Sequence, residues 1–347
     1  MINNQKYPDI SPEEIKKIFR VQWHLTERCN LKCLHCYQDE LCIKEELDIE
    51  EIKKIANMLK KTVDRWGFKC EISLTGGEPL VRKEWFEIAK YLDQLGFYVS
   101  ILSNGLLMSR EVISNLKKIN HLRYVQISLD GGSPEVHEKI RGKGTFNKTI
   151  ESIKSLKRNG IKSATKFTVH KLNFLDLINY LNLTEQIGVD FVSVARYIPS
   201  GRGEKIRDFV LTAEETKETY QLVMKFVKKN EGKILYDTRR PLWILLNDQY
   251  VGIGGRCVAG INGLTILPNG DVLPCRPMGV KIGNLRNQTF FEIWYTSDLL
   301  WKIRNFHDWS CGKCQFSRTC GGCLALSKAF YQDFFVQDPQ CFKEVNK

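Results

Sequence analysis

The chain has 347 residues, 43% of them hydrophobic and 27% charged, a composition that suits a globular protein with one large domain and a smaller one. It contains no run of 18 apolar residues, and its first nineteen residues carry charges throughout with no apolar core. Neither a membrane span nor a signal peptide is expected, and the location read from this is cytoplasmic. The net charge of +12 suits either an acidic partner or a lysine-rich set of solvated helix faces; no concentrated basic arm points to nucleic acid.

Residues 21–26 form a short apolar run that predicts a first strand. Residues 48–66 repeat apolar side chains at helical spacing (Ile49, Ile52, Ile55, Ala56, Leu59, Val63) and open on acidic residues suited to a helix N-terminus. The pattern then alternates: strand 71–74, helix 84–96 ending in Gly, strand 97–102, helix 110–119, strand 124–129, helix 146–160 again ending in Gly, strand 166–169, helix 173–188 and a sixth strand at 191–195. Six strands alternating with helices predict an α/β fold of parallel βαβ units with right-handed crossovers. Eight such units close a full barrel; six make a partial (β/α)6 TIM-like barrel, with chemistry at the C-terminal strand ends. Residues 198–207 read as a loop and 212–230 as a helix. From Gly252 the texture changes to short strands, Gly and Pro turns and seven cysteines. The expected organisation is an N-terminal extension over 1–20, the partial barrel over 21–235 and a small cysteine-rich domain over 236–347.

Twelve cysteines in a chain with no secretion signal are expected to be reduced, and their spacing points to metal. Cys29, Cys33 and Cys36 form C-x3-C-x2-C directly after the first strand. Three thiolates on one loop can bind three irons of a [4Fe–4S] cube and leave the fourth iron open to a substrate group. The alternative is a zinc site completed by His24 or His35, although zinc knuckles favour C-x2-C pairs. Thr75-Gly76-Gly77-Glu78-Pro79 follows the second strand; the glycines permit a close backbone approach to a ligand, and Glu78 offers an acceptor to a positive group. Ser103-Asn104-Gly105 and Ser128-Leu129-Asp130-Gly131 end the third and fourth strands, where Asn104, Ser128 and Asp130 either bind a ligand or form ordinary turns. Arg141 either pairs with a carboxylate or is solvated.

Residues 29–37 (Cys-Asn-Leu-Lys-Cys-Leu-His-Cys-Tyr), with aromatic Tyr37 after the last cysteine, and Gly-Gly-Glu-Pro at 76–79 resemble the radical S-adenosylmethionine (radical SAM) superfamily. The resemblance covers essentially the whole chain. It implies that Cys29, Cys33 and Cys36 ligate a catalytic [4Fe–4S] cluster, with Tyr37, Gly76, Gly77, Glu78, Pro79, Asn104, Ser128, Asp130 and Arg141 around S-adenosylmethionine. In that family the methionyl amine and carboxylate chelate the open iron and the reduced cluster passes one electron to the sulfonium. The 5′-deoxyadenosyl radical so released takes a hydrogen from the substrate.

Cys257, Gly270 and Cys275, then Cys311-x2-Cys314-x5-Cys320-x2-Cys323 and finally Cys341, resemble the SPASM domain that accompanies many radical SAM enzymes. In isolation the C-x2-C pairs also suit a zinc ribbon. The resemblance implies two auxiliary iron–sulfur clusters of the [4Fe–4S] kind. Cys311, Cys314, Cys320 and Cys341 hold the outer one. Cys257, Cys275 and Cys323 hold the inner one, whose fourth ligand is another side chain, water or the substrate. The x2 gap before Cys323, where x3 is commoner, and Asp338-Pro339 before the last cysteine fit a subgroup containing the pyrroloquinoline quinone maturation enzyme and haem-related tetrapyrrole decarboxylases. Cys42 and Cys70 fit no cluster pattern, and Trp294, Trp301 and Trp309 read as packing residues.

The function so implied is that of a radical SAM oxidoreductase or maturase modifying a peptide or protein, with ferredoxin or flavodoxin as the electron donor. One alternative is decarboxylation or removal of propionate side chains on a haem-precursor tetrapyrrole. Alternatives of another class, an electron-transfer iron–sulfur protein or a zinc nucleic-acid binder, leave the motifs at 76–79 and 128–130 without a purpose. Residues 1–20 are too short for a peptide-binding domain of their own. Arg196, Arg202 and Lys205, near the barrel mouth, either hold a carboxylate-rich substrate or form loop surface.

Overall fold

Strands that are apolar on consecutive rather than alternate positions are covered on both faces, as parallel sheets require. β1 (Ile18–Thr26) follows this rule: of its residues only Arg20 and Gln22 escape burial. A computed structural model describes residues 17–38, 45–231, 233–236, 241–246, 256–305 and 309–343. Cys42 lies outside them. β2 (Lys69–Gly76), β3 (Tyr98–Ser103), β4 (Leu122–Ser128), β5 (Ser163–Val169) and β6 (Phe191–Arg196) come next, each paired in parallel with its predecessor. Helices α1 (Ile49–Arg65), α2 (Trp85–Gln94), α3 (Arg110–Leu116), α4 (Pro134–Arg141), α5 (Phe146–Arg158) and α6 (Leu177–Ile187) fill the crossovers, so the predicted partial barrel is the fold observed.

Local sequence sets the helix ends. Asp48 accepts from the Glu51 N–H at 2.8 Å while Glu51 accepts from the Asp48 N–H at 2.9 Å, a capping box that starts α1. Thr212 and Glu215 do the same for α7 (Ala213–Lys229). The apolar stripe predicted for α1 faces the sheet: Ile52, Ile55, Ala56, Leu59 and Val63 are all buried.

The sheet is larger than the sequence suggests. β7 (Leu235–Tyr236) adds in parallel beside β6, and β8 (Gly263–Ile266) adds in parallel beside β1, with Arg20 opposite Gly263 and Trp23 opposite Ile266. β9 (Asp271–Leu273) and β10 (Gly283–Asn284) continue it antiparallel, giving the order β10-β9-β8-β1-β2-β3-β4-β5-β6-β7. The cysteine-rich half therefore grows directly on the free edge of β1, across the boundary expected at 235. An exposed parallel edge carries unpaired N–H and C=O groups, and β8 satisfies them.

Four readings change. β1 begins at Ile18 rather than residue 21, because Phe19 packs its ring against Trp66, Phe290 and Trp294. α4 was not predicted; Ser133 caps it and Pro134 opens it. The loop expected at 198–207 contains a 3₁₀ segment over Gly201–Phe209. Trp294 and Trp309 are buried in the core, but Trp301, on α9 (Asp298–Arg304) after α8 (Phe290–Thr296), is 63% exposed. A last helix, α10 (Leu324–Tyr331), packs in the C-terminal half. Among the described residues no helix is long and apolar enough to cross a membrane.

Candidate active site

The strand ends of the barrel open onto a cavity of about 340 Å³. Cys29, Cys33, Cys36 and Tyr37 line it from the loop after β1, Gly76 and Gly77 from the end of β2, Asn104 from the end of β3, Ser128 from β4 and Arg141 from the last turn of α4. Cys275 reaches it from the C-terminal half.

The two glycines are required by the chain itself. A Cβ on Gly76, whose φ is +135°, would stand 2.2 Å from the Thr26 carbonyl oxygen, and one on Gly77 would stand 2.2 Å from that of Arg28. Without side chains there, the Gly77 N–H donates to the Thr26 carbonyl at 2.8 Å and the Glu78 N–H to the Arg28 carbonyl at 2.9 Å. The approach expected toward a ligand is thus first an approach to the start of the cysteine loop. The other side of that loop is held by the segment read as a plain loop: the Gly203 N–H donates to the Cys36 carbonyl at 2.8 Å and the Arg202 N–H to that of Gln38 at 3.0 Å.

Glu78 is buried and accepts three hydrogen bonds, from the Asn104 N–H at 2.7 Å, the Ser103 hydroxyl at 2.9 Å and the Leu80 N–H at 3.2 Å. Burial pushes its carboxyl up to about 7 despite these donors. The Asn104 amide in turn donates to Asn30 Oδ1 at 2.7 Å, inside the cysteine loop. Pro79 opens a buried 3₁₀ turn (Pro79–Val81) that carries the chain away from the cavity.

Asp130 is fully buried beneath the loop. It accepts from Arg141 Nε at 2.5 Å and from the Thr168 N–H at 2.7 Å, and stands 3.5 Å from His35 Nε2. Burial disfavours its charge, but Arg141, His35 and the Thr168 N–H outweigh this and hold the carboxyl down at about 2. Arg141 Nη1 also reaches Cys33 Sγ at 3.7 Å. His35, His137 and His170 surround this pair, and burial keeps all three neutral, near about 3, 4 and 4. The sequence reading missed His137 and His170. The signal for His137 was the Ser-Pro start of α4, which puts His137 and Arg141 four residues apart on one helix face.

In the C-terminal half, Cys275 has Cys257 and Cys323 as neighbours, and Cys311 has Cys341 and Cys314. Burial raises the Cys275 thiol, and Cys257 and Cys323 raise it further. Cys311 is raised by burial, with Cys341 and Cys314 as charged neighbours, while the Asp338 N–H donates to it. Cys320 is buried and accepts from the Leu242 N–H at 3.2 Å. Cys70 is buried in the barrel core. All eleven described cysteines are free. His24, invoked for the zinc alternative, is buried with both ring nitrogens unbonded, and among the described residues no three His, Cys, Asp or Glu side chains converge on a single ion.

The profile of the Radical SAM superfamily matches residues 23–183, and that of the SPASM iron–sulfur cluster-binding domain matches residues 257–321. The chain belongs to the radical SAM superfamily. It is 27% identical to the AdoMet-dependent heme synthase of Methanosarcina barkeri (strain Fusaro / DSM 804), over 94% of this chain and 97% of that one. It is 32% identical to the antilisterial bacteriocin subtilosin biosynthesis protein AlbA of Bacillus subtilis (strain 168), over 87% of this chain and 66% of that one. The crystal structure of Streptococcus suis SuiB bound to precursor peptide SuiA shares the fold with a TM-score of 0.76 at 19% identity, over 94% of this chain and 76% of that one.

A radical SAM domain brings a [4Fe–4S] cluster and S-adenosylmethionine, and a SPASM domain brings further iron–sulfur clusters. The thiols fit these groups. Cys33 is raised by burial, and Cys36 adds to it; Cys29 is raised to about 11, first by the protein around it and then by its cysteine neighbours. Thiols crowded in this way ionise poorly until a cationic metal core deprotonates them.

One expectation about the mouth of this radical SAM barrel is corrected. Arg196 is not loop surface: it lines the cavity, and its buried guanidinium is paired with Asp338 at 2.8 Å. Lys205 is exposed on the outside. Arg202 lines the cavity and donates to the Cys33 carbonyl at 3.5 Å.

Proposed function

We propose that this radical SAM enzyme cleaves S-adenosylmethionine reductively and abstracts a hydrogen from a peptide or protein side chain, as an oxidoreductase of the maturase kind. The observation that carries the first half is the convergence of Cys29, Cys33 and Cys36 with Asn104, Ser128 and Arg141 on one cavity. In this reading the three cysteines hold the catalytic cluster, and Arg141 tempers the charge on Cys33. Glu78 accepts from the methionyl ammonium and, through its bond to the Asn104 N–H, fixes the end of β3. Asn104 and Ser128 offer hydrogen bonds to the ribose and carboxylate, and Tyr37 walls the site. When bound, the reduced cluster supplies the electron that breaks the C5′–S bond of S-adenosylmethionine and so releases the hydrogen-abstracting radical. Cys257, Cys275 and Cys323, and separately Cys311, Cys314, Cys320 and Cys341, hold the auxiliary clusters.

The peptide reading is supported by the 32% identity to a protein of bacteriocin biosynthesis. Arg202 and Arg276 both line the cavity, and each keeps a buried Nε with no partner although Arg276 Nη2 pairs with Glu27 at 3.4 Å; these Nε groups suit a carboxylate-bearing segment. The same two guanidinium groups, with the match to a heme synthase along 94% of the chain, favour a second reading, the propionates of a tetrapyrrole. An acidic ferredoxin or flavodoxin suits the net charge of +12 as electron donor. The cytoplasm, where thiols stay reduced, suits the clusters.

Anaerobic turnover with a set of acidic peptides and with a propionate-bearing iron porphyrin tests the substrate. A peptide that loses two hydrogens in step with deoxyadenosine formation supports the first reading, and a porphyrin that loses carbon dioxide supports the second. Deoxyadenosine formed with neither change sinks both.

A further inference from the structure

Arg196 ends β6, and its guanidinium grips Asp338 on two atoms: Nη1 meets Oδ1 at 2.9 Å and Nη2 meets Oδ2 at 2.8 Å. Nη1 also donates to Gln340 Oε1 at 3.0 Å. The two charged side chains are 6% and 0% exposed. A buried ion pair contributes little net stability over an apolar replacement, so stability alone does not account for this one.

Asp338 touches both auxiliary sets. Its Oδ2 accepts from the Cys323 N–H at 2.8 Å, in the inner set. Its own N–H donates to the Cys311 thiol, and its carbonyl accepts from the Cys341 N–H at 3.0 Å, both in the outer set. The pair therefore joins the end of a barrel strand to ligands of two clusters through one carboxylate and its backbone. The two charges also act in opposite directions on the same sulfurs: at Cys320 and at Cys323, Arg196 favours the negative thiolate and Asp338 disfavours it.

We propose that Arg196 and Asp338 are positioning residues whose balanced charges set the reduction potential of the auxiliary clusters while tying them to the barrel. This rests on the reading that the C-terminal cysteines hold those clusters. The physics is direct. Reduction adds negative charge to a cluster, so a nearby cation raises its potential and a nearby anion lowers it.

Single variants separate the two charges. Asp338→Asn keeps an acceptor for the Cys323 N–H and leaves Arg196 uncompensated, so the potential rises. Arg196→Gln leaves Asp338 uncompensated, so it falls. The double variant Arg196→Gln/Asp338→Asn removes both charges and returns the potential close to that of the parent. Each single change is expected to alter the reduction equilibrium about tenfold, which is about 59 mV for a one-electron couple.

The test is a redox titration of the full-length, anaerobically reconstituted protein. It is followed by electron paramagnetic resonance on the signals that S-adenosylmethionine does not perturb, with iron counted alongside. Shifts of opposite sign in the single variants, cancelling in the double variant, uphold the proposal. Shifts of the same sign, or none at full iron content, overturn it and leave the pair a structural clasp. If a lone buried charge costs the single variants their auxiliary irons, Gln340→Glu decides, because it adds an anion 3.0 Å from Arg196 Nη1 and leaves the pair in place: a lowered potential upholds the proposal and an unchanged one overturns it. A parent protein holding only about four irons overturns the assignment of the C-terminal cysteines, and this proposal with it.

Discussion

Replacing Cys33 with alanine is expected to abolish 5′-deoxyadenosine formation while the C-terminal clusters remain. Cys33 is the buried member of the triad, at 9% exposure, and its sulfur faces Arg141 Nη1 at 3.7 Å. Two remaining thiolates on an open loop do not retain a cube built for three. Arg141 keeps its bond to Asp130, so the barrel floor should survive. The C-terminal cysteines belong to other segments and lose no ligand. Chromatography of the nucleoside product should show none, and iron should fall from about twelve to about eight per chain. Full activity in this variant would refute the assignment of the triad.

The second large effect is on stability. Asp130→Asn is expected to destabilise the cluster-free protein by about 3–5 kcal/mol, the usual consequence of stranding one member of a buried ion pair. Arg141 is the stranded group, at 10% exposure, with Asp130 itself wholly buried. The variant still offers an acceptor to the Thr168 N–H, so the loss reports mainly on the charge. The carboxyl is held down at about 2. The contribution of the pair is therefore complete above the unfolded carboxylate pKa of about 3.9 and fades only as pH falls through the folded value. The gap between parent and variant should accordingly be constant around neutrality. It should narrow once the cluster is loaded, because the Cys33 thiolate gives Arg141 a second counter-charge. Urea unfolding of both forms measures this, and an undiminished midpoint in the cluster-free variant would show that the pair contributes nothing.

Much of the barrel was legible because its signals are local. The 3.6-residue stripe of α1 and the glycines closing the helices after β2 and β4 mark crossovers without knowledge of any partner. The cysteine triad was legible for the same reason, since three ligands within eight residues need no tertiary information. What escaped depends on pairing between distant segments. β8 lies beside β1 although more than two hundred residues separate them, and nothing in either run names the other. Arg196 does line the cavity, but its pairing was hidden, because Asp338 stands 142 positions away and only folding brings the two together. Gly77 lines the cavity as read, but a glycine reports that something comes close, not what, and the Arg28 carbonyl behind it was not legible. α4 is short and marked only by Ser133 and Pro134, and without it the place of Arg141 beneath Cys33 was invisible.

The central claim is that one barrel cavity binds a catalytic cluster and S-adenosylmethionine while the C-terminal half carries two further clusters. The measurement that tests it most directly is anaerobic reconstitution with iron and sulfide, then dithionite and S-adenosylmethionine, with 5′-deoxyadenosine and iron assayed on the same sample. The account predicts deoxyadenosine together with about twelve irons per chain. No deoxyadenosine, with zinc or about four irons in place of twelve, would contradict it.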